Sequence, residues 1–302
     1  MCDDSIRLLS ESEADKRAVS ELEKQLKNQS GIKAELTKAK IKELKTQINA
    51  EKKMKQSLQK SRKAFTKNLK KIVKRNDPAS LLSLNNNDMN QLTLNFGYAE
   101  SVDEFIEQSE KIAEASKATA SLINPDLTFD QRQLRIIDAA KTAATQRIFD
   151  ALILPKLNSG VREALVAMTL EVPINQAMSS LAQSFEQAEK RQLTEINTQI
   201  ASYGRTITAS IADAAGLKYF LYTGPQDGLT RKFCDPLVNK VVSQEQMNDL
   251  NNGQGLAVKT SGGGYNCRHS WSPVTEGFIQ AAKLDKATSQ DIQAANNGAK
   301  RR

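Results

Sequence analysis

Aromatic residues make up only 5% of this 302-residue chain, with hydrophobic residues at 39% and charged residues at 26%. That balance holds too few large side chains for one bulky core, and it points to extended helices with narrow apolar stripes carrying a small globular part. Cysteine is as scarce. Cys2, Cys234 and Cys267 are too few, and odd in number, to frame disulfides in a chain this long, so reduced thiols are expected. His269 is the single histidine, which limits histidine chemistry to one site. Long hydrophobic runs are also missing: the cluster Ala151 to Leu154 ends at Pro155, far short of the roughly 20 residues that span a bilayer. The charged opening MCDDSIRLLSESEADKR lacks the apolar run of a secretory signal, so a soluble protein with no membrane segment, made in the cytosol, is expected.

What the chain does have is concentrated positive charge. Of a net +8, the stretch from Lys33 to Arg75 holds sixteen Lys or Arg against three Glu, a local balance of +13. From Asp3 to Arg75 there is no proline and one glycine, Gly31, while apolar residues recur at helical spacing: Val19, Leu22, Leu26; Ile41, Leu44, Ile48; Leu58, Phe65, Leu69, Ile72. The spacing predicts a long basic coiled-coil helical arm over residues 1–76, with breaks of register near Gly31 and Glu51. A stripe this narrow needs a partner, through self-association or another protein. The basic face is either a solvated coiled-coil surface or a polyanion-binding one made of Lys33, Lys38, Lys42, Lys45, Lys52, Lys53, Lys60, Arg62, Lys63, Lys67, Lys70, Lys71, Lys74 and Arg75.

Asn76-Asp77-Pro78 ends the arm, and residues 77–98, with NNNDMNQ inside, are expected as a polar linker. A helical region over 99–216 follows. One helix is capped by Ser101 with Glu104 and interrupted by Pro125; the next is capped by Thr128 with Gln131 and stopped by Pro155. A short helix is then expected from Gly160 to Leu170, and a long one from Pro173 to Ala215 with Gly216 as its stop. The pattern then changes. LKYFLYT (217–223) reads as a strand, with further strands expected at 237–242, 256–259 and 268–274, a short helix at 243–250, and a flexible polar tail over 281–302. The fold class is therefore mainly α with a small C-terminal α+β module at 217–280.

That module concentrates the unusual residues: Asp227, Thr230, Arg231, Cys234, Lys240, Asn266, Cys267, Arg268, His269 and Pro273, with glycines at 262–264. Cys234, Cys267 and His269 supply three ligands for zinc, with Asp227 or Asp235 as a fourth, although the spacing departs from the paired ligands of established zinc modules. The same residues read as a Cys-His nucleophile pair, or as packed cysteines and a hydrogen-bonded histidine beside a glycine turn. The glycines lack the Lys and Ser or Thr of a phosphate-binding loop. Asp227, Thr230 and Arg231 suit a loop clamped by a charge-assisted hydrogen bond.

The order of these pieces resembles the phage Mu F-like minor head proteins, a family of tailed-phage head-morphogenesis proteins. The resemblance covers about residues 195–278: Arg205-Thr206 on a long helix, Ala215-Gly216, KYFLYT, D227-x-x-T230-R231-x-x-C234, Asn239-Lys240, and G-x-N266-C267-R268-H269 followed by Pro273. Its sharpest elements are TRxxC and NCRHxxxP. Departures from the family pattern are Leu229 before Thr230, Cys234 where a histidine is common, Asn239 where glycine often precedes Lys240, and His269 in place of a last cysteine. The resemblance implies a non-enzymatic minor capsid protein of the virion, made in the host bacterial cytoplasm. It would associate with the portal protein and inner capsid and act in head assembly, genome packaging or ejection. The basic segment from Lys33 to Arg75 fits contact with packaged double-stranded DNA or with an acidic portal or scaffold surface. A cysteine-dependent hydrolase or prophage-encoded toxin using the Cys-His pair is the reading from another class, and a bacterial coiled-coil scaffold is a third.

Overall fold

A computed structural model describes residues 11–124 and 130–300; Cys2, the Pro125 interruption and the Thr128 cap lie outside them. The chain runs through helices α1 (Glu11–Lys27), α2 (Gly31–Val73), α3 (Pro78–Leu82), α4 (Asn86–Thr93), α5 (Ala99–Ile123), α6 (Gln131–Ile148), α7 (Leu154–Thr169) and α8 (Ile174–Ala214). Strands β1 (Tyr219–Thr223) and β2 (Lys240–Ser243), helices α9 (Gln244–Asn248) and α10 (Val258–Ser261), strand β3 (Ser270–Val274), helix α11 (Glu276–Ala281), strand β4 (Asp285–Lys286) and helix α12 (Ser289–Lys300) follow. The protein is thus mainly α with a small C-terminal α+β module. It divides into two compact units, one from the described parts of 1–49, 109–140 and 198–302, the other from 50–108 and 141–197.

In the first unit the sheet order is β3-β1-β2-β4, with β1 antiparallel to β2 and β3, and β4 parallel to β2. The alternation in YFLYT sends Phe220 and Tyr222 to one face, where they join Trp271, Val242, Phe233, Cys234 and Cys267. Leu221 points to the other face, which Leu36 of α2, Ile123 of α5 and Phe278 and Ile279 of α11 cover. Pro273 lies opposite Phe220 on the edge strand β3, a position that tolerates a residue without an N–H donor. Helix α8 ends as its composition predicts: Gly216 takes φ 63°, and Leu217 N–H donates to Ala212 C=O at 2.9 Å. Helices α1 and α2 share a small core of Ala18, Leu22, Ile41 and Leu44.

The second unit is helical throughout its described residues and centres on aromatic rings. Phe65 of α2 meets Phe96, Tyr98 and Phe185 at ring-centroid distances of 6.2, 5.8 and 6.2 Å. Burial pushes the Tyr98 hydroxyl up to about 12.

Several expectations are corrected. Helix α2 is continuous through Glu51, and its apolar stripe is buried within this chain: Leu36, Ile41 and Leu44 in the first unit, Met54, Leu58, Phe65 and Leu69 in the second. The described residues 11–76 are therefore not a separate arm. The phase shift near Glu51 instead falls where the helix passes from one core to the other. Residues 77–98 are not a linker but helical, because their polar residues serve as caps: Asp77 accepts from Ala79 N–H and Asn85 from Asp88 N–H. Ser101 is no cap; it is buried inside the helical run, 2.8 Å from Ser61 and 3.1 Å from Ser57. Pro155 does not stop its helix, because a π-helical turn at Phe149–Ile153 precedes it and absorbs the missing N–H. Residues 256–259 contribute to helix α10 rather than a strand. Nor is 281–302 a flexible tail over its described residues: α12 buries Ile292 and Ala295 in the sheet core, and its Asp291 accepts from Lys240 Nζ at 2.5 Å.

Candidate functional site

The residues singled out in the module converge. Cys234 follows the loop after β1, Cys267 and His269 lead into β3, and Tyr222 stands on β1 between them. Their exposures are 1, 3, 3 and 0%, and the ligand-type atoms of Cys234, Cys267 and His269 all lie within 4.8 Å of one another. The two Sγ atoms are 3.9 Å apart, and Cys267 Sγ is 3.8 Å from His269 Nδ1. His269 Nε2–H donates to the Pro225 carbonyl at 2.9 Å, so in the neutral ring the lone pair of Nδ1 faces the sulfurs. The Tyr222 hydroxyl lies 3.3 Å from Cys234 Sγ and 3.6 Å from Cys267 Sγ.

The glycine run has a steric reason. A Cβ on Gly263 would stand 2.4 Å from Cys234 Sγ, and Gly263 N–H donates to Cys267 Sγ at 3.2 Å. Gly262 and Gly264 take φ 54° and 97°, so the loop folds over the sulfurs by a path that side chains would block. Arg205 of α8, 4% exposed, reaches the same place: its Nε donates to His269 C=O at 2.9 Å and its Nη2 to Cys267 C=O. The hydrogen bond from Cys234, together with His269 and the Arg205 charge, holds the Cys267 thiol well below its ordinary value against burial, while the same bond and burial push Cys234 up. Burial, then the two cysteines, raises the Tyr222 phenol well above its usual range.

Outside this cluster the framework residues lock the loops. Arg268 grips Asp227 with two bonds of 2.8 Å, and Asp227 also accepts from Leu229 N–H at 3.0 Å and the Thr230 hydroxyl at 3.2 Å. Burial alone would raise the Asp227 carboxyl, but Arg268 and these donors outweigh it and hold it below the ordinary carboxylate value. The clamp on Asp227 is thus Arg268, not Arg231, whose guanidinium donates instead to the Tyr265 carbonyl. Neither Asp227 nor Asp235 belongs to the sulfur cluster, since Asp235 accepts from Gln226 on the surface. Asn266 (φ 52°) donates its N–H to Thr198, and Asn239 takes φ 63°, the left-handed region that favours glycine or asparagine. A cavity of about 50 Å³ adjoins His269, with Lys40, Glu43 and Ser116 beside apolar residues such as Leu44 and Ile112 in its lining and room for a few waters.

The sequence does not single out Tyr222, Pro225, or Gly224, where a Cβ would stand 2.4 Å from His269 Cδ2. A phenol on the buried face of an alternating strand needs a polar partner, and that was the available signal for Tyr222.

The basic residues divide. Lys33, Lys38, Lys42 and Lys45 fall in the first unit, where Lys38 pairs with Glu35 at 2.7 Å and Lys45 with Glu23 at 2.9 Å. Lys52 to Arg75 fall in the second unit, where Lys53, Lys60 and Arg62 pair with Glu104, Glu100 and Glu189 at 3.9, 2.7 and 2.9 Å. Lys63, Lys67, Lys70, Lys71, Lys74 and Arg75 have no carboxylate within 4.0 Å among the described residues; Lys63, Lys67, Lys70 and Lys71 share one face of α2, and Lys74 and Arg75 follow just past its end.

No protein family matches the chain, and neither a curated protein nor a solved structure does.

Proposed function

We propose that the chain is a minor head protein of a tailed phage: a structural component held in few copies at the portal vertex or inner capsid surface, acting in head assembly and in genome packaging or ejection. The observation that carries the reading is the interlocking of the motif residues. TRxxC and NCRHxxxP lie more than thirty positions apart, yet Arg231 bonds the Tyr265 carbonyl, Arg268 grips Asp227 and Cys234 meets Cys267. Residues that specify one another in this way form the framework of a folded module, as the resemblance requires. Burial of the thiols and the histidine supports a structural role over a cysteine hydrolase, whose nucleophile has to meet substrate.

Packaged double-stranded DNA is the partner that suits the unpaired stripe from Lys63 to Arg75. Phosphate neutralisation gives sequence-independent binding, with log affinity falling against log salt at a slope of about −5 for six contacts. Charge reversal at Lys63, Lys67 and Lys71 in the full chain is expected to flatten that slope, and an unchanged slope would remove DNA from the proposal.

The test of the whole is quantitative mass spectrometry of purified, DNA-filled particles. A few to a few dozen copies per particle is the expected result; absence from both particles and procapsids overturns it.

A further inference from the structure

The geometry points to a structural zinc site in which Cys234, Cys267 and His269 bind one ion and the Tyr222 phenol oxygen closes the tetrahedron. This inference stands on the cluster alone and does not depend on the phage reading. With Zn–S bonds of about 2.3 Å and Zn–N or Zn–O bonds of about 2.0 Å, a tetrahedral site has a sulfur–sulfur edge near 3.8 Å and sulfur–nitrogen or sulfur–oxygen edges near 3.5 Å. The corresponding separations here are 3.9 Å between the sulfurs, 3.8 Å from Cys267 Sγ to His269 Nδ1, and 3.3 and 3.6 Å from the phenol oxygen to the sulfurs. Four of the six donor–donor edges already stand near the spacing the ion would impose, and the His269 nitrogen lies within 4.8 Å of Cys234 Sγ.

The surroundings fit a metal as well. His269 spends its Nε2–H on the Pro225 carbonyl, the outer bond that fixes a metal-binding imidazole with its other nitrogen free. Gly263 N–H points at Cys267 Sγ, a donor suited to a thiolate. Arg205 is an independent sign. Its hydrogen bonds go to the carbonyls of His269, Thr260 and Cys267, and no carboxylate lies within 4.0 Å of it among the described residues. A buried cation without an anionic partner is costly. On coordination the two thiols and the phenol release their protons to solvent, and two thiolates and a phenolate around Zn²⁺ carry one net negative charge, which matches the one positive charge of Arg205. The donors are too deeply buried for an open catalytic position, so the ion's role is to tie the loop holding Cys234 to the loop holding Cys267 and His269, as structural zinc does.

The full-length chain, expressed with added Zn(II) and purified without chelator, is expected to hold about one zinc per chain by elemental mass spectrometry. Replacement by Co(II) should give the intense thiolate-to-metal absorption of a tetrahedral site. Cys267→Ser should abolish that absorption. Because that variant also disturbs a packed core, Tyr222→Phe supplies the second measurement: it keeps the ring and should weaken Zn(II) affinity about tenfold or more in competition with a chromophoric chelator. Unchanged affinity in Tyr222→Phe would overturn the fourth ligand. A wild-type chain that is folded by circular dichroism yet takes up neither Zn(II) nor Co(II), or that carries a Cys234–Cys267 disulfide in their place, would overturn the site.

Discussion

In the helical second unit the backbone is largely satisfied within its helices, and side chains reach distant carbonyls at helix ends: Thr93 donates to Met89 C=O one turn back at 2.9 Å, while Arg162 reaches Leu82 and Leu84 C=O, where α3 ends, at 3.0 and 2.8 Å. In the strand-bearing module the bonds run far along the chain. Arg205 serves carbonyls 62 and 64 positions away, Arg268 reaches back 41 positions to Asp227, and Trp271 Nε1 donates to Val258 C=O at 3.0 Å. The difference follows from backbone chemistry. A helix satisfies its own peptide groups, so its sequence need only keep apolar residues in phase; a short sheet joined by long loops leaves carbonyls that particular side chains must reach. Identity is therefore constrained at many positions of the module and, in the helices, only where a helix ends, as at Arg162; elsewhere in the helices phase and volume are constrained.

The largest effect that tests this contrast is expected in the helical unit from loss of volume. Phe65, fully buried against three rings, should lose about 4 kcal/mol of stability as Phe65→Ala in urea unfolding, and Phe65→Leu should recover most of it. If the leucine variant were as damaged as the alanine one, ring identity rather than volume would govern this core, and the contrast would be broken.

In the module, the smallest possible change is expected to be almost as harmful. Gly263→Ala brings a methyl to within 2.4 Å of Cys234 Sγ and should cost about 3 kcal/mol, while Gly228→Ala, with nothing within 4 Å, should stay within about 0.5 kcal/mol. Equal effects at the two glycines would mean that the loop over the sulfurs is not held where the fold places it.

The same contrast explains what the sequence disclosed. Helical phase gave α5 and α8 to within a few residues, and Gly216 gave the end of α8, because 3.6-residue periodicity and a left-handed stop are local properties. The convergence of Cys234, Cys267 and His269 was legible only as a possibility, since their separation in space depends on how two loops cross. The readings of 77–98 and 281–302 failed for one shared reason. Asn, Asp, Ser and small residues suggest loops by composition, but here they act as caps and as the close-packed face of α12, where a Cβ on Gly298 would stand 2.4 Å from Lys232 C=O. In sequence Arg231 reads as the partner of Asp227, because an i,i+4 partner is visible there and Arg268, 41 positions away, is not.

That clamp gives the smallest of the three effects and the sharpest in form. Asp227→Asn removes the charge that Arg268 grips while keeping the shape, and should cost about 2 kcal/mol at pH 7. The Asp227 carboxyl is held below its ordinary value in the fold, so its contribution is fully present above the unfolded value near pH 4 and disappears as pH falls through the lower folded value. Wild type and Asp227→Asn should accordingly differ by a constant amount from neutral pH down to about pH 5, then converge on further acidification. The exposed pair Lys60 and Glu100 of the second unit should not behave so: 74 and 62% exposed at 2.7 Å, it is screened by water and salt, and Glu100→Gln should change stability by less than about 1 kcal/mol. A gap at Asp227 that persisted unchanged to low pH would mean that hydrogen bonding by shape, not charge, holds the loop, and the module would then resemble the helices more closely than its long-range bonds imply.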